Sequence, residues 1–391
     1  MSAPRSIAAI KKRCCSGPVI TCLLTLNLIG TFIMILLLMD VRKIHNPLSS
    51  QDRLRRLYEE RQFLPVFESV HSRNQIFPEN GTDKDIFEEQ EPEKVLDYIP
   101  PVPKISDSDV VPSLTKEIME HHLELPDKNY TDTIVIFTPM RNSAEHLATY
   151  EAQLVKLTYP HQLISLYFGE DNSDDRTFMI AKMLAKRFTT THGFKRSKAF
   201  HFNITGGVHG VWGDIHERTM QFARRKHLAK SRNMLLHRGL KDEKWVLWID
   251  CDISQLPKDL IQQMLFANKD VVSPCCLFRY KNFKRNYDKN IWRETDVSLE
   301  DQKHMSRDQL ILEGYGPTSR IYLPDLRAEG RVVPIDGVGG CALLVRADCH
   351  RKGLIFPEDV YEHVIETEGL AKMAKKMGYS VYGMPFVEVF H

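Results

Sequence analysis

The chain has 391 residues, 42% of them apolar and 27% charged, with a formal net charge of +2. That composition suits one large globular domain with appendages, and the near balance of charge points to no nucleic-acid partner. The cysteines show no CxxC spacing, so neither a zinc ribbon nor a disulfide-dense scaffold is suggested.

In chain order, the first predicted element is a short basic tail, residues 1–17, with Arg5, Lys11, Lys12 and Arg13. Pro18 to Met39 then run without a charged residue. As a helix this stretch reaches about 33 Å, enough to cross a hydrocarbon core. The preceding basic residues favour a cytoplasmic N-terminus, although Arg42, Lys43, Arg53, Arg55 and Arg56 follow and weaken the asymmetry. The run ends Leu-Leu-Leu-Met-Asp with no small-residue cleavage site, which favours an uncleaved signal anchor over a signal peptide. The expectation is a single-pass type II membrane protein whose remaining chain is luminal. Sequons at Asn80, Asn129 and Asn203 agree, though such tripeptides also arise by chance. Cys14 and Cys15 suit palmitoylation beside the membrane, or are idle thiols.

Residues 40–128 read as a stem. They are rich in Pro, Asp and Glu, and too poor in apolar faces to offset the entropy of ordering. A folded domain is expected over 129–391. "TIVIFTP" is a β-rich run, and "NSAEHLATYEAQLVKL" has helical period with Asn142 or Ser143 as its cap. "HQLISLYFGEDNS" is a strand ending in acids, "DDRTFMIAKMLAKRF" a helix, "AFHFNIT" a short strand, and "IHERTMQFARRKHLAKSRNMLLHRGL" a long helix. "EKWVLWIDCDIS" is the next strand, and "PKDLIQQMLFAN" a helix opened by proline. This alternation argues for an α/β fold around a mainly parallel central sheet. Residues 280–332 break the rhythm and read either as an excursion over the site or as a surface insertion. "VVPIDGVGGCALLVRADC" returns to strand texture, with Gly337, Gly339 and Gly340 allowing close backbone approach. "PEDVYEHVIETEGLAKMAKKMG" is a helix with a glycine stop, kinked or restarted near Thr367-Glu368-Gly369. The domain cysteines are read as buried thiols, with a Cys341–Cys349 or similar disulfide as the competing possibility.

Ligands in such sheets sit beyond the carboxyl ends of strands. Asp171 falls at one such end, and Asp250 and Asp252 at another. Alternate strand residues share a face, so Asp250 and Asp252 project together. Their repulsion raises one pKa unless a cation neutralises them. A hard divalent ion does so while gripping phosphate oxygens. Two solvated acids at a strand end would look the same in isolation. Fixed positive charge comes from the preceding helix, where Arg218, Arg225 and Arg232 recur on one face. Arg232 and Asn233 lie nearest the acids and are the better candidates to contact the nucleotide's phosphates, whereas Arg224 and Lys226 suit a solvated face. No Walker loop, no dinucleotide-binding glycine motif and no nucleophile elbow is present.

"IVIFTPMRNSAEHL", "FGEDNSDDRT", "ARRKHLAKSRNMLL", "WVLWIDCDI" and "IETEGLAKMAKKMGY" resemble the fungal mannan polymerase α-1,6-mannosyltransferases, glycosyltransferase family sixty-two. The resemblance covers roughly residues 130–391; tail, anchor and stem agree only in kind with a Golgi transferase. It implies a GT-A fold, GDP-mannose as donor and Mn²⁺ as metal; the acid pair by its own chemistry suits Mg²⁺ as well. It implies an N-glycan mannan acceptor, retention at the anomeric carbon, and related partner subunits in a Golgi membrane complex. Under it Thr138, Pro139, Arg141 and Asp171 lie against the nucleoside, and Asp250 and Asp252 hold the metal. His391 is a third metal candidate, since enzymes of this fold often supply a late histidine. Glu366 and Glu368 either orient the acceptor or form a helix-surface pair. A non-catalytic structural subunit, or a transferase using another nucleotide sugar, is the alternative. Cys251, between the two acids, points to the opposite face and is expected to pack.

Overall fold

In this computed structural model the chain divides into Met1–Glu91 and Pro92–His391, and the described residues, 129–204, 218–280 and 283–391, lie in the second unit. The tail, anchor and stem, residues 1–128, therefore fall outside them. Among the described residues no helix is long and apolar enough to cross a membrane.

A nine-stranded sheet organises the described residues, in the order β3-β2-β1-β4-β10-β5-β11-β9, with β6 beside β5. Its first half comprises β1 (Ile134–Met140), β2 (Ile164–Asp171), β3 (Arg196–Phe202) and β4 (Trp245–Ile249). Among themselves these pair only in parallel. Every residue of β1 and β4 is buried, as expected of strands covered on both faces, and that explains their unbroken apolar runs. Trp248 packs against Phe137 and Phe356, with ring centroids 5.0 and 4.9 Å away. Truncating such a side chain to Ala costs about 3–5 kcal/mol.

The covering helices follow from their periodicity. In α1 (Leu147–Val155) the residues Leu147, Tyr150 and Leu154 are buried, and in α2 (Thr177–Thr190) Ile180, Leu184 and Phe188 are. Three- and four-residue steps place such residues on one face. The expected cap of α1 is not formed: helix starts after His146, which makes no side-chain cap bond. Asn142 instead takes a left-handed φ of 48°, and the Ser143 amide donates to Thr177 Oγ1. Helix α3 (Gln221–Gly239) ends tightly on β1, where a Cβ on Gly239 would stand 2.3 Å from the Phe137 ring.

The second half of the sheet is mixed. Strand β5 (Val271–Tyr280) runs parallel to β11 (Val381–Phe390), but β10 (Ala342–Arg346) lies antiparallel between β4 and β5. The expectation of a mainly parallel sheet holds for β3-β2-β1-β4 and for β5-β11, with β10, β6 and β9 added antiparallel. Helix α4 (Leu260–Phe266) precedes β5. Residues 283–332 contribute β6 (Phe283–Asn286), β7 (Trp292–Arg293), α5 (Asp296–Lys303) and β8 (Ile321–Tyr322). Strand β9 (Val333–Pro334) and the short α6 (Ala347–Arg351) flank β10. Helix α7 (Glu366–Lys376) begins later than its periodicity suggested. Glu362, His363 and Glu366 have φ of 47°, 68° and 58°, so the chain turns there and the helix does not extend back to Pro357.

All five domain cysteines are buried and unpaired. Cys341 precedes β10 and Cys349 follows its last residue, so about 15 Å of extended chain separates them. That span is too long for a disulfide.

Candidate active site

The carboxyl ends of β1, β2 and β4 meet at one edge, and the side chains placed there come from several segments. Asp250 and Asp252 follow β4 directly. Arg232, from α3, lies between Asp250 and Glu366: its Nη2 donates to Asp250 Oδ1 at 2.9 Å and its Nε to Glu366 Oε1 at 2.8 Å. Its guanidinium faces the Trp248 and Phe356 rings, 5.7 and 5.6 Å from their centroids. A buried guanidinium held by two carboxylates and two rings cannot swing, so it fixes where Asp250 points.

Gly340 completes this arrangement. A Cβ there would sit 2.7 Å from Arg232 Nη2 and 3.1 Å from Asp250 Oδ2. At Gly339 it would sit 2.0 Å from Asp288 Oδ2, and at Gly337 2.4 Å from the Trp292 ring. The expectation of close backbone approach at these three glycines holds. Asp288 accepts from the Gly340 and Asn290 amides at 2.9 and 3.1 Å, tying the start of the 283–332 segment to the same turn.

Burial pushes the Asp250 carboxyl upward; Arg232 opposes this and the neighbouring Asp252 charge adds to it, so its pKa is raised. Asp252 goes the other way. Burial raises it too, but the His391 hydrogen bond and charge outweigh burial and lower it. His391 Nε2 stands 3.0 Å from Asp252 Oδ2 and 2.9 Å from Tyr287 Oη. The Tyr287 and His391 rings stack at 3.8 Å. Strand β11 delivers this histidine because its end is bonded to the loop after Asp252: the Phe390 carbonyl accepts from the Ser254 and Gln255 amides. Cys251 is buried, as its strand face required.

The nucleoside-side candidates gather at the ends of β1 and β2. Thr138 is buried and hydrogen-bonds the Tyr150 hydroxyl. Pro139 pairs across to Gly169. Asp171 accepts from the Ile204 amide at 3.0 Å and pairs with His227. Burial raises its pKa, yet the His227 and Ile204 bonds, with the Arg141 charge, leave it lowered. Asn233 is placed differently from the expected nucleotide contact. Its amide donates to the Phe356 carbonyl at 2.8 Å and accepts from the Phe356 amide at 3.0 Å, so it docks the segment before α7.

Glu366 and Glu368 are buried, which removes the helix-surface reading. Glu368 pairs with Arg225 and accepts from Trp292 Nε1 at 2.8 Å. Burial raises its pKa to about 7, against the pull of Arg225 and Arg320. Arg320 covers the Trp292 ring at 3.6 Å and bonds Glu313 and Glu294 at 2.8 and 2.9 Å. Residues 283–332 are thus bolted to α3 and α7 through a buried indole, not laid loosely on the surface. Arg225 and Arg232 share the inward face of α3, as the seven-residue spacing predicted, while Arg218 is exposed.

Sequence reasoning passed over His227, Tyr150, Tyr287 and Asp288. His227 lies within the long helix, five residues before Arg232 and directly after Lys226, and nothing in the sequence set it apart from that basic run. The other three carry no motif at all.

A hard divalent cation suits the donors at this edge, two carboxylates and an imidazole. Asp252 Oδ1 and Arg232 Nη1 are both buried without a hydrogen-bond partner among the described residues, and an orphaned carboxylate oxygen at that spot asks for a cation. Among the described residues, however, no group of three or more His, Cys, Asp or Glu is drawn together as a metal cage.

The Anp1 family model matches residues 116–359. The chain belongs to the Anp1 family. Anp1-family relatives include the mannan polymerase II complex anp1 subunit of Schizosaccharomyces pombe, 32% identical over 283 residues, covering 68% of this chain and 65% of that protein. The mannan polymerase complex subunit mnn9 of the same organism is 35% identical over 275 residues, covering 66% of this chain and 80% of that one. The chain therefore spans slightly less than two thirds of one relative and more of the other. Among solved structures, a Pyrobaculum calidifontis mannosyltransferase in complex with GDP-Man and Mn²⁺ is 15% identical, covers 71% of this chain and 61% of its own, and has a TM-score of 0.41. That overlap is too slight to argue from.

Proposed function

We propose that this Anp1-family chain is a retaining glycosyltransferase of GT-A type. It would move mannose from GDP-mannose to the α-1,6-mannan backbone of N-linked glycans, as one subunit of a mannan polymerase complex. Its setting would be the Golgi lumen, with Pro18–Met39 as the anchor. The observation that carries this reading is the orphaned, buried Asp252 Oδ1 beside Asp250 at the end of a central strand. The relatives' printed names supply the mannan context.

In this reading Asp250, Asp252 and His391 would hold Mn²⁺, or Mg²⁺ in its place. When bound, the ion supplies positive charge to the departing diphosphate. The chain's own residues do the rest. Arg232 holds Asp250 in one direction and adds fixed positive charge where the leaving group's charge develops. Thr138, Pro139, Arg141 and Asp171 receive the nucleoside. His227 holds Asp171 to one orientation, and Tyr287 does the same for His391. Glu366 and Glu368 act through the arginines they hold. A retaining reaction asks no general base of them.

The second reading, a non-catalytic subunit, is favoured by one observation: Asp250 and Asp252 already have partners in Arg232 and His391. Transfer from GDP-mannose to an α-1,6-mannose oligosaccharide separates the two. Manganese-dependent product in the wild type that disappears in Asp252→Ala supports the enzyme. Equal background in both, with the complex intact, supports the scaffold.

A further inference from the structure

Among the buried cysteines one pair stands out. Cys276, on β5, and Cys341, just before β10, are buried side-chain neighbours. Both are held against Asp288. The Asp288 amide donates to the Cys276 carbonyl at 3.4 Å, and Asp288 Oδ2 accepts from the Cys341 amide at 3.5 Å. Cys275 has different charged neighbours, Arg327, Glu388 and Lys284. Cys349 lies at the far end of β10, near Asp270 and Arg346.

We propose that Cys276 and Cys341 form a disulfide when the chain folds in an oxidising medium. The bond closes a loop containing the whole of residues 277–340. It therefore staples the base of the 283–332 segment beside the Gly339–Gly340 turn that supports Arg232 and Asp250. The chemistry is exchange with a small-molecule disulfide such as oxidised glutathione. One cysteine thiolate attacks that disulfide, forming a mixed disulfide and releasing one thiol. The second cysteine attacks the protein-bound sulfur, forming the Cys276–Cys341 bond and releasing the other thiol. Two electrons and two protons pass from the cysteines to the donor.

Burial raises the Cys276 thiol's pKa although its contact with Cys341 opposes this, and the Cys276 contact together with burial raises that of Cys341, so exchange is slow in the folded chain. The bond is therefore made during folding and shielded afterwards. This inference stands apart from the proposed transferase activity and is tested without it.

The test uses the full-length chain, purified in detergent, denatured and refolded in a glutathione redox buffer. Free thiols are alkylated under denaturing conditions, and peptides are mapped by mass spectrometry without reduction. The expected result is a cross-linked peptide pair joining Cys276 to Cys341, with Cys251, Cys275 and Cys349 alkylated. Reduction should lower the thermal midpoint of the wild type by roughly 5–10 °C and leave that of Cys276→Ser unchanged. Full alkylation of Cys276 and Cys341, or a link from either to Cys275 or Cys349, overturns the proposal. If Cys276→Ser fails to fold, the wild-type peptide map decides alone.

Discussion

Arg232 Nη2 lies 2.9 Å from Asp250 Oδ1, while the same guanidinium reaches Glu366 Oε1 at 2.8 Å. One side chain from α3 therefore links the end of β4 to the start of α7. Removing one partner of a buried pair leaves the other charge uncompensated, at a cost of about 3–5 kcal/mol. Arg232→Met should lose that much in urea unfolding of the folded domain. Arg232→Lys should recover part of it, because an ammonium replaces one arm of the fork but not both. A loss below roughly 0.5 kcal/mol in Arg232→Met, the range of ordinary surface changes, would contradict the coupling.

Gly340 allows a more selective test. A methyl group there meets Arg232 Nη2 and Asp250 Oδ2 rather than the hydrophobic core. Gly340→Ala should fold, lose about 1–3 kcal/mol as an overpacked site does, and lose transfer activity by more than tenfold. A variant with wild-type turnover would show that the Arg232–Asp250 alignment is immaterial.

His350 makes stability pH-dependent. Its Nδ1 is 2.7 Å from the Leu354 carbonyl, and its Nε2 is buried without a hydrogen-bond partner among the described residues. That is the pattern of a neutral ring donating through Nδ1. Burial, with Arg351 nearby, lowers its pKa from 6.5 to about 4 despite the Leu354 bond. Between those values the unfolded chain holds a proton that the folded chain refuses. The contribution is fully retained above pH 6.5 and falls as pH drops toward 4, by about 3 kcal/mol in total. His350→Asn keeps a donor toward Leu354 and cannot titrate. Its unfolding free energy should therefore fall less than the wild type's between pH 7 and 4. Parallel pH profiles for the two proteins would contradict the assignment.

Much of this site was legible in the sequence because its parts are local. Trp245–Ile249 is a continuous apolar run, so it reads as a covered strand, and period two puts Asp250 and Asp252 together. Seven-residue spacing placed Arg225 and Arg232 on one face, and the glycines of "DGVGG" announced a close approach. What escaped is long-range or context-dependent. "ALLVR" has the same texture whether its neighbours run parallel or antiparallel, so the insertion of β10 between β4 and β5 left no local trace. Tyr287 meets His391 only because β5, β6 and β11 fold together. The late start of α7 depends on left-handed backbone at Glu362, His363 and Glu366, which periodicity does not register. Arg218 shares the spacing of Arg225 but precedes α3 and is exposed, so period alone overstated the stripe.

The most direct measurement is calorimetric binding of GDP to the full-length chain, with and without Mn²⁺, comparing the wild type with Asp252→Asn. This substitution keeps the shape of the side chain and removes the charge from the orphaned oxygen. The account predicts manganese-dependent binding to the wild type, weakened at least tenfold in Asp252→Asn while the thermal midpoint stays within a few degrees. Binding of equal strength in both proteins, or none in the wild type with manganese present, would contradict it.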